Sequence, residues 1–435
     1  MSQAESKKKM LIYAHYYYPD VASTGQILKE LAEGMKDVFD IYVICTVPSY
    51  TGVIDEKYKT KRFYKEDING VNVIRIRVPE FSKEKKLSRV RNIVSYYFGA
   101  KAATKKLGRI DYVYSISQPP ILGGLLGVYG KKKKKAKFIY NIQDFNPEQT
   151  MAVDYCKNKL ITKAMMFFDK RSCRISDKVI VVGRDMVETL KKRFKGERVP
   201  DYAYINNWIN ESEIYPLPEE NRKVQDFKRE YGLEGKYVIM YSGNIGLYYD
   251  LENLMRVIKK FRKGYTMTGI EEEGFFTPDG REVAFAFVGD GSMLKEIKAY
   301  KKRHHIDNVI FIPYQDKADL IYSLNAGDVH WVVNAKGIKG ISVPSKCYGV
   351  MAAGKPIIGV LEEGSEARLI IEETKCGLCC EPEDYENVAK IIEWFIENAY
   401  SDEALAMGKR GRDYLVGNLT KDISIEKYIN EIIDL

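Results

Sequence analysis

Residues 327–360 read GDVHWVVNAKGIKGISVPSKCYGVMAAGKPIIGV, and this stretch decides the fold. Val329-His330-Trp331-Val332-Val333 is short, apolar and β-branched, which suits a buried strand. A loop with Gly337 and Gly340 follows. Pro344 fits the first turn of a helix, with Ser342 as candidate cap, and residues 344–353 read as a short packed helix. Gly354 ends it and Pro356-Ile-Ile-Gly-Val starts another buried strand. Strand, glycine loop, helix N-terminus and an adjacent Lys346 together predict an anion site, with backbone N–H groups facing the anion.

Gly349-Val-Met-Ala-Ala-Gly354-Lys355 matches seven positions of a nucleotide-hydrolase phosphate loop. The eighth, which should be Ser or Thr, is Pro356, and the order is reversed: glycine leaves a helix and proline enters a strand. Pro344-Ser-Lys-Cys-Tyr-Gly-Val-Met-Ala-Ala-Gly-Lys-Pro instead resembles the nucleotide-sugar segment of family-4 glycosyltransferases with the GT-B architecture. It is similar in particular to the branch that builds bacterial surface polysaccharides, such as fucosamine and colanic acid transferases. The resemblance covers most of the chain. It implies an α/β fold of two Rossmann-like, doubly wound domains facing across a cleft. It also implies transfer with retention of configuration and no essential metal or other cofactor; no Asp-x-Asp pair occurs. The wider family carries two glutamates eight apart in this segment, where this chain has Ile341 and Gly349.

At 435 residues, two domains are expected. No run of 18 apolar residues suggests a spanning helix, and the N-terminus reads as a first strand, not a signal peptide. Seven cysteines without framework spacing point to a reduced, cytoplasmic protein. Residues 1–207 hold 40 Lys and Arg against 22 Asp and Glu, a net of +18; the remaining 29 against 38 give −9. That asymmetry suggests an anionic partner for the first half. Lys83–Lys106 reads as an amphipathic helix, with Leu87, Val90, Ile93, Val94, Tyr97 and Phe98 on one face. It either lies on an anionic membrane or packs on the sheet with its lysines solvated. Lys131–Lys135 adds five lysines, either part of a membrane surface or a solvated loop; no nucleic-acid motif accompanies the charge.

In order, the first half (1–207) opens with strands at 10–14, 41–45 and 71–78. A turn at Ser23-Thr24-Gly25 precedes a helix from Gln26 to Lys36. In the resembled family this loop, here Thr24 and Gly25, faces the donor diphosphate; otherwise it only connects strand to helix. Gln143-Asp144-Phe145-Asn146-Pro147-Glu148 resembles the family's corner at the cleft floor, with Asp144 facing the reacting sugar or else capping the next helix. The hinge is read at 206–218.

The second half (208–420) repeats the pattern. Ser242-Gly243-Asn244-Ile245-Gly246 follows a strand, and the resemblance assigns Gly243 and Asn244 to the diphosphate. Most members have Arg and Lys in this loop, where Asn244 and Tyr249 stand here, so more rests on Lys346 and its neighbour Ser345. Gly289-Asp290-Gly291 and Tyr314 end strands that flank the base in similar proteins, a core tyrosine being the alternative for Tyr314. Glu366 either touches the donor sugar or is a first-turn acid favoured by the helix dipole. Residues 264–280 read as an inserted hairpin turning at Pro278-Asp-Gly, and residues 421–435 as a helix crossing back to the first domain. Cys376, Cys379 and Cys380 lack the second pair that a metal site needs.

The function implied is a retaining transfer from a nucleotide diphosphate sugar, in the first instance a UDP-sugar, to a lipid-linked or growing surface saccharide. Asp144 and Lys346 are the catalytic candidates. The enzyme would be peripheral on the inner face of the plasma membrane. The alternatives are a nucleotide-sugar epimerase of the same architecture and a non-catalytic membrane-surface scaffold.

Overall fold

The computed structural model describes residues 7–20, 23–82, 85–152, 158–262 and 275–435. The chain divides into two compact units, Met1–Asn207 with Lys421–Leu435, and Trp208–Thr420.

In the first unit β1 (Lys8–Tyr13), β2 (Phe39–Thr46), β3 (Phe63–Ile68), β4 (Val71–Ile76), β5 (Tyr112–Ile116), β6 (Lys137–Ile142), β7 (Lys178–Val181) and β8 (Tyr202–Tyr204) form one sheet. Their order is β3-β4-β2-β1-β5-β6-β7-β8. All pairs are parallel except β3 with β4. The inner strands are buried along nearly their whole length, as a parallel sheet covered on both faces requires. β3 escapes the sequence reading because it is a charged edge strand, Phe-Tyr-Lys-Glu-Asp-Ile, with no buried residue.

The helices are α1 (Ser23–Met35), α2 (Lys86–Lys106), α3 (Leu122–Lys134), α4 (Glu148–Ala152), α5 (Lys159–Ile175) and α6 (Arg184–Arg193). Two expectations change here. Thr24 and Gly25 belong to the first turn of α1 and not to a loop before it, because Ser and Thr favour a helix start more than they break one. Lys131–Lys134 form the last turn of α3, and Lys135 closes it in the left-handed conformation (φ 54°). Four cations there suit the negative end of the helix dipole, and Lys131 pairs with Asp177 at 2.6 Å.

In the second unit β9 (Tyr237–Ser242), β10 (Val283–Val288), β11 (Val309–Ile312), β12 (Val329–Val333), β13 (Ile357–Val360) and β14 (Gly377–Cys380) form an all-parallel sheet in the order β11-β10-β9-β12-β13-β14. It is covered by α7 (Arg222–Glu230), α8 (Leu251–Ile258), α9 (Leu294–His304), α10 (Leu320–Ala326), α11 (Lys346–Ala352), α12 (Glu366–Thr374), α13 (Tyr385–Glu397) and α14 (Asp402–Asn418). Most of the expected hairpin lies outside the described residues. Its end is a tight turn closed by a Phe276–Glu282 bridge, with Gly280 donating to the Thr277 carbonyl. Cys379 and Cys380 lie on β14, and the six described cysteines are free.

The final helix, α15 (Lys421–Ile433), belongs to the first unit. It lies over α1 so closely that a Cβ on Gly34 would fall 2.4 Å from Ile425 Cδ1. Tyr428, fully buried, accepts a hydrogen bond from Asn141 Nδ2 at 3.0 Å. Among the described residues no helix is long and apolar enough to cross a membrane. Tyr428→Ala is expected to destabilise the first unit by about 3–5 kcal/mol, as for other buried aromatics. Tyr428→Phe should cost less, about 1–3 kcal/mol, since the hydroxyl hydrogen-bonds Tyr114 as well as Asn141. Chemical denaturation of both variants checks this.

Candidate functional site

Strand order reverses once in each sheet, between β1 and β5 in the first and between β9 and β12 in the second. Such switch points open a crevice beyond the carboxyl ends of the two strands, where open α/β sheets bind ligands. Thr24 and Gly25 follow β1, and Gly243, Asn244, Ser345 and Lys346 follow β9 and β12, whereas Asp144, Asp290, Tyr314 and Glu366 follow the strands beyond them.

In the second unit the loop after β9 runs against the loop after β10. Gly243 N–H donates to Val288 O (2.9 Å), Ile245 N–H to Asp290 O (2.9 Å) and Met293 N–H to Ile245 O (3.0 Å). Glycine is obligatory at the contact. Gly289 has φ +137°, and a Cβ there would stand 2.1 Å from Gly243 O. Gly243 has φ +144°, and its missing Cβ leaves room for the Lys346 stem, whose Cε would be 2.4 Å away. The Lys346 ammonium sits 3.6 Å from the ring centroid of Tyr249 and 5.1 Å from that of Tyr241. Tyr241 is fixed by its own hydroxyl, which donates to Asn244 O at 2.6 Å. Burial pushes the Lys346 pKa down to about 7, and among the described residues no carboxylate opposes it.

Asn244, Asp290 and Ser345 are exposed around this lysine's loops, and Gly291 N–H donates to Asp290 Oδ1 (2.8 Å). Tyr314, two residues beyond β11, is 57% exposed and so not a core tyrosine. Glu366 starts α12 fully buried, and Ser365 Oγ before it has no hydrogen-bond partner.

Three details of the central stretch differ from expectation. α11 begins at Lys346, with Ser345 and not Ser342 at the cap position, and no side chain caps it. The amides of Gly337 and Lys339 do not face an open site, since both donate to the Glu362 carboxylate at 2.9 Å. Gly349 faces Ile209 and Leu324, with their methyl carbons 3.5 Å from where its Cβ would be. An acid at this position would be buried against apolar groups.

In the first unit, Ser117-Gln118 follow β5 and Gln143-Asp144 follow β6. A hydrogen-bonded chain joins two candidates: Thr24 Oγ1 donates to Gln118 Oε1 (3.2 Å), and Gln118 Nε2 to Asp144 Oδ2 (3.4 Å). Gln149 Nε2 holds the other oxygen, Asp144 Oδ1, at 3.1 Å. Burial outweighs these two donors and raises the Asp144 pKa to about 6. Gly25 packs against the backbone of Tyr16, 3.1 Å from its carbonyl oxygen to where a Cβ would be. His15, at the end of β1, is buried against Asn92 and kept neutral, its pKa pushed down to about 4 by burial.

The corner around Asp144 has a brace that spacing could not reveal. Arg193 of α6 donates to both Glu148 oxygens (2.6 and 2.5 Å), to Asp169 (2.5 Å) and to Asn146 O (2.8 Å). Its guanidinium lies 4.3 Å from the Phe145 ring centroid. Among the described residues, no group of three or more His, Cys, Asp or Glu could hold a metal ion.

Comparison with known proteins finds similarity along most of the chain. WcaI of Escherichia coli (strain K12), named as a colanic acid biosynthesis glycosyl transferase, is 22% identical over 443 residues, covering 98% of this chain and 99% of its own. WbjE of Pseudomonas aeruginosa, named "Probable glycosyltransferase", is 27% identical over 363 residues, 80% of this chain and 81% of its own. The structure of Anabaena HepE in complex with UDP and glucose superposes with a TM-score of 0.69 at 11% identity, over 98% of this chain and all of that one. The protein is a glycosyltransferase of GT-B architecture. Residues 223–414 match the family Glycosyl transferases group 1.

The Asp144 shift has a consequence for stability. An acid whose pKa rises from 3.8 to about 6 binds its proton more tightly folded than unfolded. Its contribution therefore favours the fold below pH 3.8 and is lost as pH rises through 6. Asp144→Asn is expected to stabilise the protein at pH 8 by on the order of 1–3 kcal/mol, and this gain should vanish as the pH approaches 4. Melting temperatures across that range check it.

Proposed function

We propose that this glycosyltransferase moves a sugar from a UDP-sugar to a lipid-linked or growing surface saccharide, with retention of anomeric configuration. The observation that carries the reading is Lys346, a half-buried ammonium at the β9/β12 switch point with aromatic faces and, among the described residues, no carboxylate around it. Such a group is incomplete without an anion. A nucleotide diphosphate supplies one, and the HepE structure, similar in fold, holds UDP and glucose. The WcaI name supports a saccharide acceptor of the cell surface.

In this reading the sugar C1–O bond to the diphosphate breaks as the acceptor oxygen attacks from the same face. The acceptor proton passes to the departing phosphate oxygen. Lys346 neutralises the charge that grows on the diphosphate, which a fixed donor in a dry site does well. The exposed Asp290 loop and Tyr314 are assigned to the uridine, and Asp144 in the first unit to the acceptor side. No essential metal is required, so chelators should leave the rate unchanged. The enzyme would work at the inner face of the plasma membrane.

Lys346→Ala is expected to slow single-turnover transfer roughly 30- to 1000-fold, equivalent to about 2–4 kcal/mol of transition-state stabilisation. Its melting temperature should not fall, and Lys346→Arg should recover part of the rate. An alanine variant within about threefold of wild type would remove Lys346 from the mechanism.

The donor reading has its own test. Because the free lysine titrates near 7, binding of the diphosphate above that pH takes up a proton. UDP affinity should therefore fall by up to about tenfold per pH unit above 7, and Lys346→Arg should flatten the slope. Thermal-shift titration with UDP, GDP and ADP measures both the slope and the base. Stabilisation by GDP or ADP but not by UDP would overturn the choice of nucleotide.

A further inference from the structure

The first unit turns one cationic and apolar surface outward. α3 packs on the sheet with α2 against one flank and α5 against the other. The buried side of α2 consists of Asn92, Tyr96, Gly99, Ala100, Ala103 and Thr104, so Leu87, Val90 and Val94 point to solvent. Leu87 (85% exposed), Val90, Val94 and Phe98 (59%) form a stripe at helical spacing, continued by Arg91, Lys101 and Lys105. Lys101 Nζ lies 5.9 Å from the Phe98 ring centroid. α5 repeats this design with Leu160 (78%), Ile161, Phe167 (61%) and Phe168, interleaved with Lys163 and Arg171. α2 contains no Asp or Glu in 21 residues, and the single acid of α5, Asp169, is buried and paired with Arg193.

A solvated helix face has no reason to expose eight large apolar side chains while excluding every carboxylate. A partner protein of ordinary composition would not demand that exclusion either. We infer that α2 and α5 together form a seat for an anionic lipid bilayer, with the aliphatic and aromatic side chains entering the headgroup boundary and the cations facing acidic headgroups. The seat lies on α2 and α5 and not on the lysine run, whose Lys131 and Lys134 are held by Asp177 and by the Leu107 carbonyl. It deepens the proposed lipid-linked acceptor by naming the surface that meets its membrane, and it rests on that reading for its purpose only.

The test is sedimentation of the full chain with vesicles of phosphatidylglycerol and phosphatidylethanolamine, against vesicles of phosphatidylcholine alone. Binding is expected only to the acidic vesicles, and it should weaken with salt without disappearing. Leu87→Ser with Phe98→Ser, and separately Leu160→Ser with Phe167→Ser, should each lower the partition coefficient more than about tenfold. Melting temperature and the UDP-induced shift should not change in either variant. Acidic-vesicle binding unaffected by both pairs would overturn the seat. So would a lipid-free dimer, seen by light scattering, that the same substitutions dissociate. Vesicle binding that behaves as expected in a protein that UDP fails to stabilise would support the seat while sinking the donor reading.

Discussion

Everything in the second unit's site depends on one steric fact: a lysine stem occupies the space where Gly243 has no side chain. The consequence propagates. Gly243 must hold φ +144°, and its carbonyl then leaves Gly289 no room for a Cβ. The loop after β10 is thereby locked to the loop after β9, with Asp290 and Gly291 at its tip. Tyr241 and Tyr249 complete the enclosure and give the ammonium the electron-rich faces of two rings in place of a counter-ion. This chain has Tyr249 where most of the resembled family has a basic residue, so a second cation is exchanged for an aromatic wall. Among the described residues, no carboxylate then offsets the depressed pKa of this one charge.

The first unit solves the opposite problem, keeping a carboxyl group where ionisation is costly. Asp144 is held by two amide side chains and no cation, so burial dominates its titration. Arg193, in the same corner, is committed to Glu148, Asp169 and the Asn146 carbonyl, and fixes the backbone there. Had Arg193 reached Asp144, the acid would titrate well below its ordinary value. The brace thus gives the corner rigidity without quenching its acid.

The alternation of buried strands with helices was legible because parallel sheets need continuous apolar runs, as in Val283–Val288 and Val329–Val333. Glycine positions were legible as close approaches, though not what approached them: nothing at Gly243 names Lys346, 103 residues on. Hydrogen bonds between distant segments carry no periodicity, so Glu362 could not be seen taking the amides of Gly337 and Lys339, nor Arg193 holding Glu148. α2 shows a different limit. Its period puts Leu87, Val90, Val94 and Phe98 on one face, yet the face that packs is the one with Asn92, Tyr96, Ala100 and Ala103, where Gly99 lets Ile76 approach. Periodicity groups residues but does not say which group is inside.

The two ionisable candidates share an energetic logic. For Lys346 the folded pKa, near 7, lies below the ordinary value of 10.5, so its contribution to stability is present above pH 10.5 and lost as pH falls through 7. For Asp144 the corresponding contribution is present at low pH and lost above 6. At neutral pH Asp144 is ionised and Lys346 about half protonated, and both opposing shifts subtract from the stability of the fold. A chain selected for stability alone would replace both with apolar residues, since burying an unpaired charge is among the larger costs a fold can carry. Their retention in titratable form, one in each unit, fits groups completed by a ligand and not by the protein itself. In the proposed reading, binding of an anion at Lys346 would remove the strain there, so that part of the desolvation already spent in folding would return as affinity for the charge that develops on a leaving group.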